Sequence, residues 1–181
     1  MAQLFTTIPM PLKSMLDDLR RGVIQLPDFQ RGWVWDSDRI RGVLASISRD
    51  FPVGAVMMLK TGGGITFKTR PVQGVVDPEQ KEPDTLILDG QQRLTSLFQA
   101  TLFGRVVETE NAKKQPIKRW YYLDMQRALG EPDEREEAII AVDQDRKIIG
   151  FGGKNELDVS TPELEFEKLM FPFSSVFDPS D

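Results

Sequence analysis

The chain has 181 residues, with 23 Lys+Arg against 28 Asp+Glu for a net charge of −5, and contains neither Cys nor His. A hydrophobic share of 40% beside 28% charged residues suits a folded globular protein, and the length suits one domain. The two missing residue types exclude disulfides, Cys/His zinc sites, cysteine nucleophiles, His-based triads, and HNH or HExxH centres built from these residues.

Met1 to Phe5 lacks the charged-then-apolar pattern of a signal peptide. No apolar run approaches the roughly 18–20 residues that span a bilayer, so a cytoplasmic protein without membrane contact is expected. Leu12, Met15, Leu16 and Leu19 recur at helical spacing and predict a first helix from Pro11 to Arg21, with Gly22 as its C-cap. Val23 to Leu26 reads as a short strand closed by Pro27. A second helix is capped by Asp36 or Ser37, turns Ile40, Val43, Leu44 and Ile47 inward, and ends before Phe51-Pro52. Ala55 to Leu59 reads as a buried strand, from which Ile65-Thr66-Phe67 returns across a Gly62-Gly63-Gly64 hairpin turn. That triple glycine lacks the following Lys-Ser/Thr of a P-loop.

Residues 71–84 form a loop. Thr85 to Leu88 is the clearest strand, and Asp89-Gly90 leads directly into a third, amphipathic helix carrying Leu94, Leu97, Phe98 and Leu102 inward. Arg119 to Leu123 and Ile139 to Val142 are further strands. Between them, residues 124–138 are a charged loop holding a short helix, whose Glu134, Glu136 and Glu137 need only solvent. Asp143 and Asp145, beside Arg146-Lys147, read as a turn. Phe171 to Phe177 is apolar but cut by Pro172 and looks like an unfinished domain edge. Helices and short strands interleave without a steady βαβ rhythm, which predicts α+β with a small mixed sheet.

Charge is uneven along the chain. Residues 1–123 carry 17 Lys+Arg and 13 Asp+Glu, a net of +4, whereas residues 124–181 carry 6 and 15, a net of −9. The first two-thirds therefore suits phosphates or nucleic acid, although scattered surface charges alone can give the same balance.

With Cys and His absent, chemistry falls to carboxylates, Arg and Lys, amides, hydroxyls, backbone N–H groups or an oxygen-ligated ion such as Mg²⁺. The strongest constellation is Leu86 to Leu97, where a strand empties through Asp89-Gly90 into Gln91-Gln92-Arg93. A helix beginning there points free N–H groups and its positive end at one spot, which suits an anion. Gly90 allows close approach, Arg93 offers a planar fork to phosphate oxygens, and Gln91 and Gln92 add neutral donors. Asp89 is suited to holding Mg²⁺ or orienting a water. The plainer alternative makes Asp89 an N-cap, Gly90 a turn residue and Gln-Gln-Arg a solvated face.

Gln-Arg recurs in Leu26 to Trp35, again just ahead of a helix. Phe29, Trp33 and Trp35 either stack on a base or anchor the loop, the latter being the simpler reading for both tryptophans. Arg31 suits a ligand-facing role as well as a structural ion pair. Lys113, Lys114 and Arg119 form a weaker basic stretch, either a nucleic-acid contact or a solvated loop.

The two blocks together, Ile24 to Trp35 and Leu88 to Leu97, resemble the N-terminal domain of GmrSD-type restriction enzymes, also known as domain of unknown function 262. The resemblance spans roughly residues 8 to 178, and those two blocks are its specific part. It implies a compact ParB/sulfiredoxin-like domain with a nucleotide-phosphate pocket, in which Asp89, Gly90, Gln91, Gln92 and Arg93 form the phosphate and metal site. Gln30 and Arg31 would complete that pocket. Known members bind or hydrolyse nucleoside triphosphates in bacterial defence against modified or foreign DNA, commonly beside a separate HNH-type nuclease domain.

The resulting expectation is a single domain over 1–181, truncated at its C-terminus and without its nuclease. It would bind and hydrolyse a nucleoside triphosphate with Mg²⁺, using Asp89 and Arg93 as catalytic residues, in a DNA-targeting system. A non-catalytic DNA-binding or modification-reading module is the alternative. Direct Mg²⁺-dependent nicking ranks last, because the acidic set near Asp89 is thin.

Overall fold

In the computed structural model, which describes residues 9–62, 67–130 and 135–177, α1 (Leu12–Arg21) starts after Pro11 and closes on Gly22. Its spacing buries Leu16 and Leu19 and leaves the opposite face to Lys13, Asp17, Asp18, Arg20 and Arg21. The chain then enters β1 (Ile24–Pro27), buried along its whole length. It pairs in parallel with β4 (Thr85–Asp89), in the register Ile24↔Thr85 and Gln25↔Leu86. The other edge of β1 carries the short β3 (Thr69–Arg70), and the outer edge of β4 carries β2 (Met57–Lys60), both antiparallel. The first sheet therefore runs β2-β4-β1-β3.

That central parallel pair positions the site. Adjacent parallel strands end at the same edge of a sheet, and the segments that follow them meet there. β1 delivers the 28–35 loop to this edge, and β4 delivers α3 (Gln91–Thr101). From the loop the chain passes into α2 (Ser37–Ser48), whose N-cap Asp36 accepts a bond from the Arg39 N–H. Leu16, Leu19, Leu26, Ile40, Leu44, Ile87 and Leu97 fill the core between the sheet and these helices.

A second sheet is built on the long β6 (Pro116–Asp124). β7 (Ile139–Asp143) lies along one edge, and β5 (Val107–Glu110) and β10 (Met170–Pro172) follow each other along the other edge. One face of β6 and β7 sends Tyr121, Leu123, Ile139 and Ala141 into the main core. The other face joins Tyr122 and Val142 to Val159 and Met170, beneath the hairpin of β8 (Lys147–Ile149) and β9 (Asn155–Asp158). Burial pushes the Tyr121 hydroxyl pKa up, so it stays neutral while donating to Ser37 Oγ at 3.2 Å. The short helix α4 (Met125–Ala128) follows β6 directly, and α5 (Pro162–Glu167) lies beside β10. The expected α+β class holds. No helix among the described residues is long and apolar enough to cross a membrane.

Three local expectations need correction or placing. Ala55 to Leu59 was expected as a buried strand, but β2 starts at Met57 and is exposed, because it lies at the sheet's edge with Met57 and Leu59 facing solvent. Ile65, Thr66, Gly63, Gly64 and Glu134 lie outside the described residues, and the next strand, β3, joins β1 rather than β2. Phe171 to Phe177 is integral to the fold, with β10 paired to β6 and Phe173 buried in the core.

The third helix was expected to be amphipathic, yet Thr95, Ser96, Gln99 and Thr101 are as buried as its leucines. Its polar side chains reconcile that burial with the main chain. Ser96 donates to Gln92 O at 2.8 Å, Thr101 to Leu97 O at 2.7 Å, and Gln99 to Gln73 O at 3.1 Å. Thr95 Oγ1 is buried without a hydrogen-bond partner among the described residues. Thr95→Val keeps the shape and removes the stranded hydroxyl. It should raise stability by about 1 kcal/mol or more, read as a higher urea midpoint at unchanged slope.

Candidate functional site

At the shared edge of β1 and β4 the two Gln-Arg segments are fastened to each other. Gln30 Nε2 donates to Ile87 O at 2.6 Å and to Leu88 O at 3.1 Å, tying the loop to the end of β4. From the other side, Gln91 Nε2 donates to Arg31 O at 2.9 Å. Gln92 grips the same loop with both ends of its amide, donating to Gly32 O at 3.1 Å and accepting from Val34 N at 2.9 Å. Trp33 is buried and donates its indole N–H to Ser96 Oγ at 2.9 Å, which makes it a loop anchor. Trp35 packs against the core with its flank, while Phe29 is 72% exposed and meets Phe67 edge to face.

These bonds border an open cavity of about 360 Å³, with Gln30, Arg31 and Trp35 on one side and Leu88 to Arg93 on the other. All of the residues expected to hold phosphate or metal are therefore brought together in one place. Their roles divide, however. The three glutamines spend amide donors on backbone carbonyls, which makes them the frame of the cavity.

Asp89 is the last residue of β4, and the N-cap of α3 is Gly90, in the left-handed region at φ 94°. The reading of Asp89 as a plain cap therefore drops out. A Cβ on Gly90 would sit 3.1 Å from Val56 Cγ2, so the close approach that needs glycine is to the segment leading into β2. With no side-chain cap, the N–H groups of Gln91, Gln92 and Arg93 come before the first intrahelical bond, Leu94 N to Gly90 O at 3.0 Å. This free helix start lies in the cavity wall.

Arg93 does not hold its fork open. It donates through Nη1 to Val53 O and through Nη2 to Ala55 O at 3.0 Å, and lies 3.5 Å from Asp89 Oδ2. Its guanidinium clamps the turn before β2, where Gly54 at φ 89° leaves room for it. Arg31, by contrast, is exposed at the cavity, and its guanidinium has no ion pair or hydrogen bond among the described residues. Asp89 is also largely exposed, with a relative accessibility of 73%. Among the described residues, no group of three or more metal-ligating side chains comes together.

The basic stretch lies elsewhere, on the β5–β6 hairpin. Lys114 pairs with Glu110, Lys118 with Glu108, and Arg119 with Asp143, so much of its charge is neutralised locally. Lys113 sits in the hairpin turn with its N–H bonded to Asn111 Oδ1. Asp143 and Asp145 fall at the β7–β8 turn, as expected.

Sequence reasoning missed Arg70, whose Nη2 donates to Gln30 O and Arg31 O at 3.0 and 3.1 Å. It also missed Thr109, whose hydroxyl donates to Trp35 O at 2.6 Å from the second sheet. Neither belongs to a local motif. The turn at Pro52-Val53-Gly54, which Arg93 clamps, did carry a sequence signal in its Pro-x-Gly spacing.

Residues 12–169 match the GmrSD restriction endonuclease N-terminal domain, a span that includes both Gln-Arg blocks. The chain belongs to this family and so carries a domain of restriction-system proteins. A curated relative, the uncharacterized protein MJ0686 of Methanocaldococcus jannaschii, is 33% identical over 96 residues. The match covers 49% of this chain and 17% of the relative, so the chain corresponds to under a fifth of that protein's length.

The frame assigned to the glutamines gives a direct test. Gln92→Ala removes bonds at both ends of its amide and should cost about 1–3 kcal/mol in urea unfolding. Hydrogen exchange should quicken in the 28–35 loop first.

Proposed function

We propose that this domain binds a nucleoside triphosphate by its phosphates and hydrolyses it, as the sensing part of a DNA-targeting restriction system. The observation that carries the proposal is a single cavity lined by both an uncapped helix start and Arg31, whose guanidinium has no partner among the described residues. Free N–H groups, a positive helix end and a solvent-exposed guanidinium are together suited to a polyanion. Arg31 and the amides of Gln91, Gln92 and Arg93 would then stabilise charge on the terminal phosphate and the leaving oxygen, the main requirement of phosphoryl transfer.

In this reading Asp89 orients the attacking water, and the ion pair with Arg93 keeps its carboxylate at the rim. A lone carboxylate fits Mg²⁺ only as one ligand of an ion arriving on the phosphates, where it offsets their charge. Arg93 contributes chiefly by holding the Val53–Ala55 turn, a narrower role than direct catalysis.

The restriction-system family supports DNA as the target of the whole system and a partner or further nuclease domain as its cutter, since these residues contain no His. Such a system meets its DNA in the cytoplasm. The paired charges of the β5–β6 hairpin give a DNA-binding module without catalysis less support than the cavity gives a triphosphate.

Phosphate release and binding should be measured with a panel of triphosphates for wild type, Arg31→Ala and Asp89→Asn. Arg31→Ala should weaken binding by about tenfold or more. Asp89→Asn should slow hydrolysis about 100-fold or more with affinity within about threefold of wild type. A folded wild type that binds no triphosphate would overturn the proposal.

A further inference from the structure

Arg70 is a half-buried guanidinium on a two-residue edge strand, and among the described residues it has no carboxylate partner. A cation in that position ordinarily reaches solvent or an acidic neighbour. Here it turns toward the 28–35 loop, where Nη2 is shared between Gln30 O at 3.0 Å and Arg31 O at 3.1 Å. The strand register makes this possible, because Arg70 stands opposite Leu26 and the Asp28 N–H continues the pairing to Lys68 O at 2.8 Å.

Arg31 O also accepts from Gln91 Nε2 at 2.9 Å. Both lone pairs of that one carbonyl are used, one from the β3 side and one from the α3 side. A peptide plane held from two directions cannot rotate without breaking a bond. Its orientation sets the direction in which the Arg31 side chain leaves the backbone.

From this geometry we infer that Arg70 is the positioning residue of the cavity, fixing the peptide from which Arg31 reaches the ligand's phosphates. The ligand half of the inference rests on the phosphate-binding reading above, whereas the hold on the loop stands on the bonds alone. Arg70 does not line the cavity, so its effect on binding acts through Arg31 rather than by contact.

The experiment compares wild type, Arg70→Met and Arg70→Lys by hydrogen exchange without ligand, and by affinity for MgATP and inorganic triphosphate. Arg70→Met should exchange about tenfold faster or more across residues 29–34, while β6 amides keep their wild-type protection. Its affinity for both probes should fall about tenfold. Arg70→Lys retains a donor for the same carbonyls and should recover most of both effects, which a loss of general stability would not allow. Wild-type exchange in Arg70→Met would overturn the inference, as would undiminished affinity with a loosened loop. A wild type that binds neither probe overturns the phosphate reading instead, and the exchange comparison then decides the hold of Arg70 on the loop by itself.

Discussion

Glutamine side-chain amides reach main-chain groups, and those of Gln30, Gln91 and Gln92 fasten two distant chain segments together, Gln92 donating and accepting at once. The bonds join residues 57 to 60 positions apart, at the edge where parallel β1 and β4 both end. Main-chain carbonyls at a strand end and a loop would otherwise need water or stay unsatisfied. Once the amides satisfy them, the loop cannot leave without stranding several polar groups together. The cavity follows from this arrangement, and Gly90, which has no side chain to cap α3, leaves the helix start free in its wall.

Charge is divided by the same arrangement. Two arginines face inward to main-chain carbonyls: Arg93 holds the turn at Val53 to Ala55, and Arg70 holds the loop. Arg31 alone of the three has no protein partner among the described residues, so an incoming anion meets a guanidinium that gives up no bond. The second sheet buttresses this wall. Thr109 holds Trp35 O, and Asp36, the cap of α2, bridges to Glu110. The uncapped start of α3 and the exposed Arg31 thus meet at one edge of the first sheet.

Much of this was legible in the sequence. Strong periodicity at Leu12 to Leu19 and at Ile40 to Ile47 placed α1 and α2, and the run before Asp89-Gly90 placed β4 and α3. The family resemblance implies one pocket for both Gln-Arg blocks, and both line one cavity. What escaped was the division of labour, because a Gln or Arg that frames a site is the same residue type as one that reads a ligand. Only the three-dimensional path shows that the fork of Arg93 is occupied and that of Arg31 is open. Arg70 escaped because a two-residue strand carries no periodic signal. The burial of α3 on nearly all sides depends on tertiary neighbours and could not be read from its Thr, Ser and Gln. Likewise, Ala55 to Leu59 is apolar enough to suggest burial, yet β2 is at an edge because of sheet order, which is not local in sequence.

The most direct measurement is an amide chemical-shift titration of the isotopically labelled domain with inorganic triphosphate in the presence of Mg²⁺. If the uncapped start of α3 and Arg31 form a phosphate site, the largest shifts fall on the amides of Gln91, Gln92 and Arg93 and on Arg31, saturating together. Shifts confined to the β5–β6 hairpin, or none at millimolar triphosphate, would contradict the account.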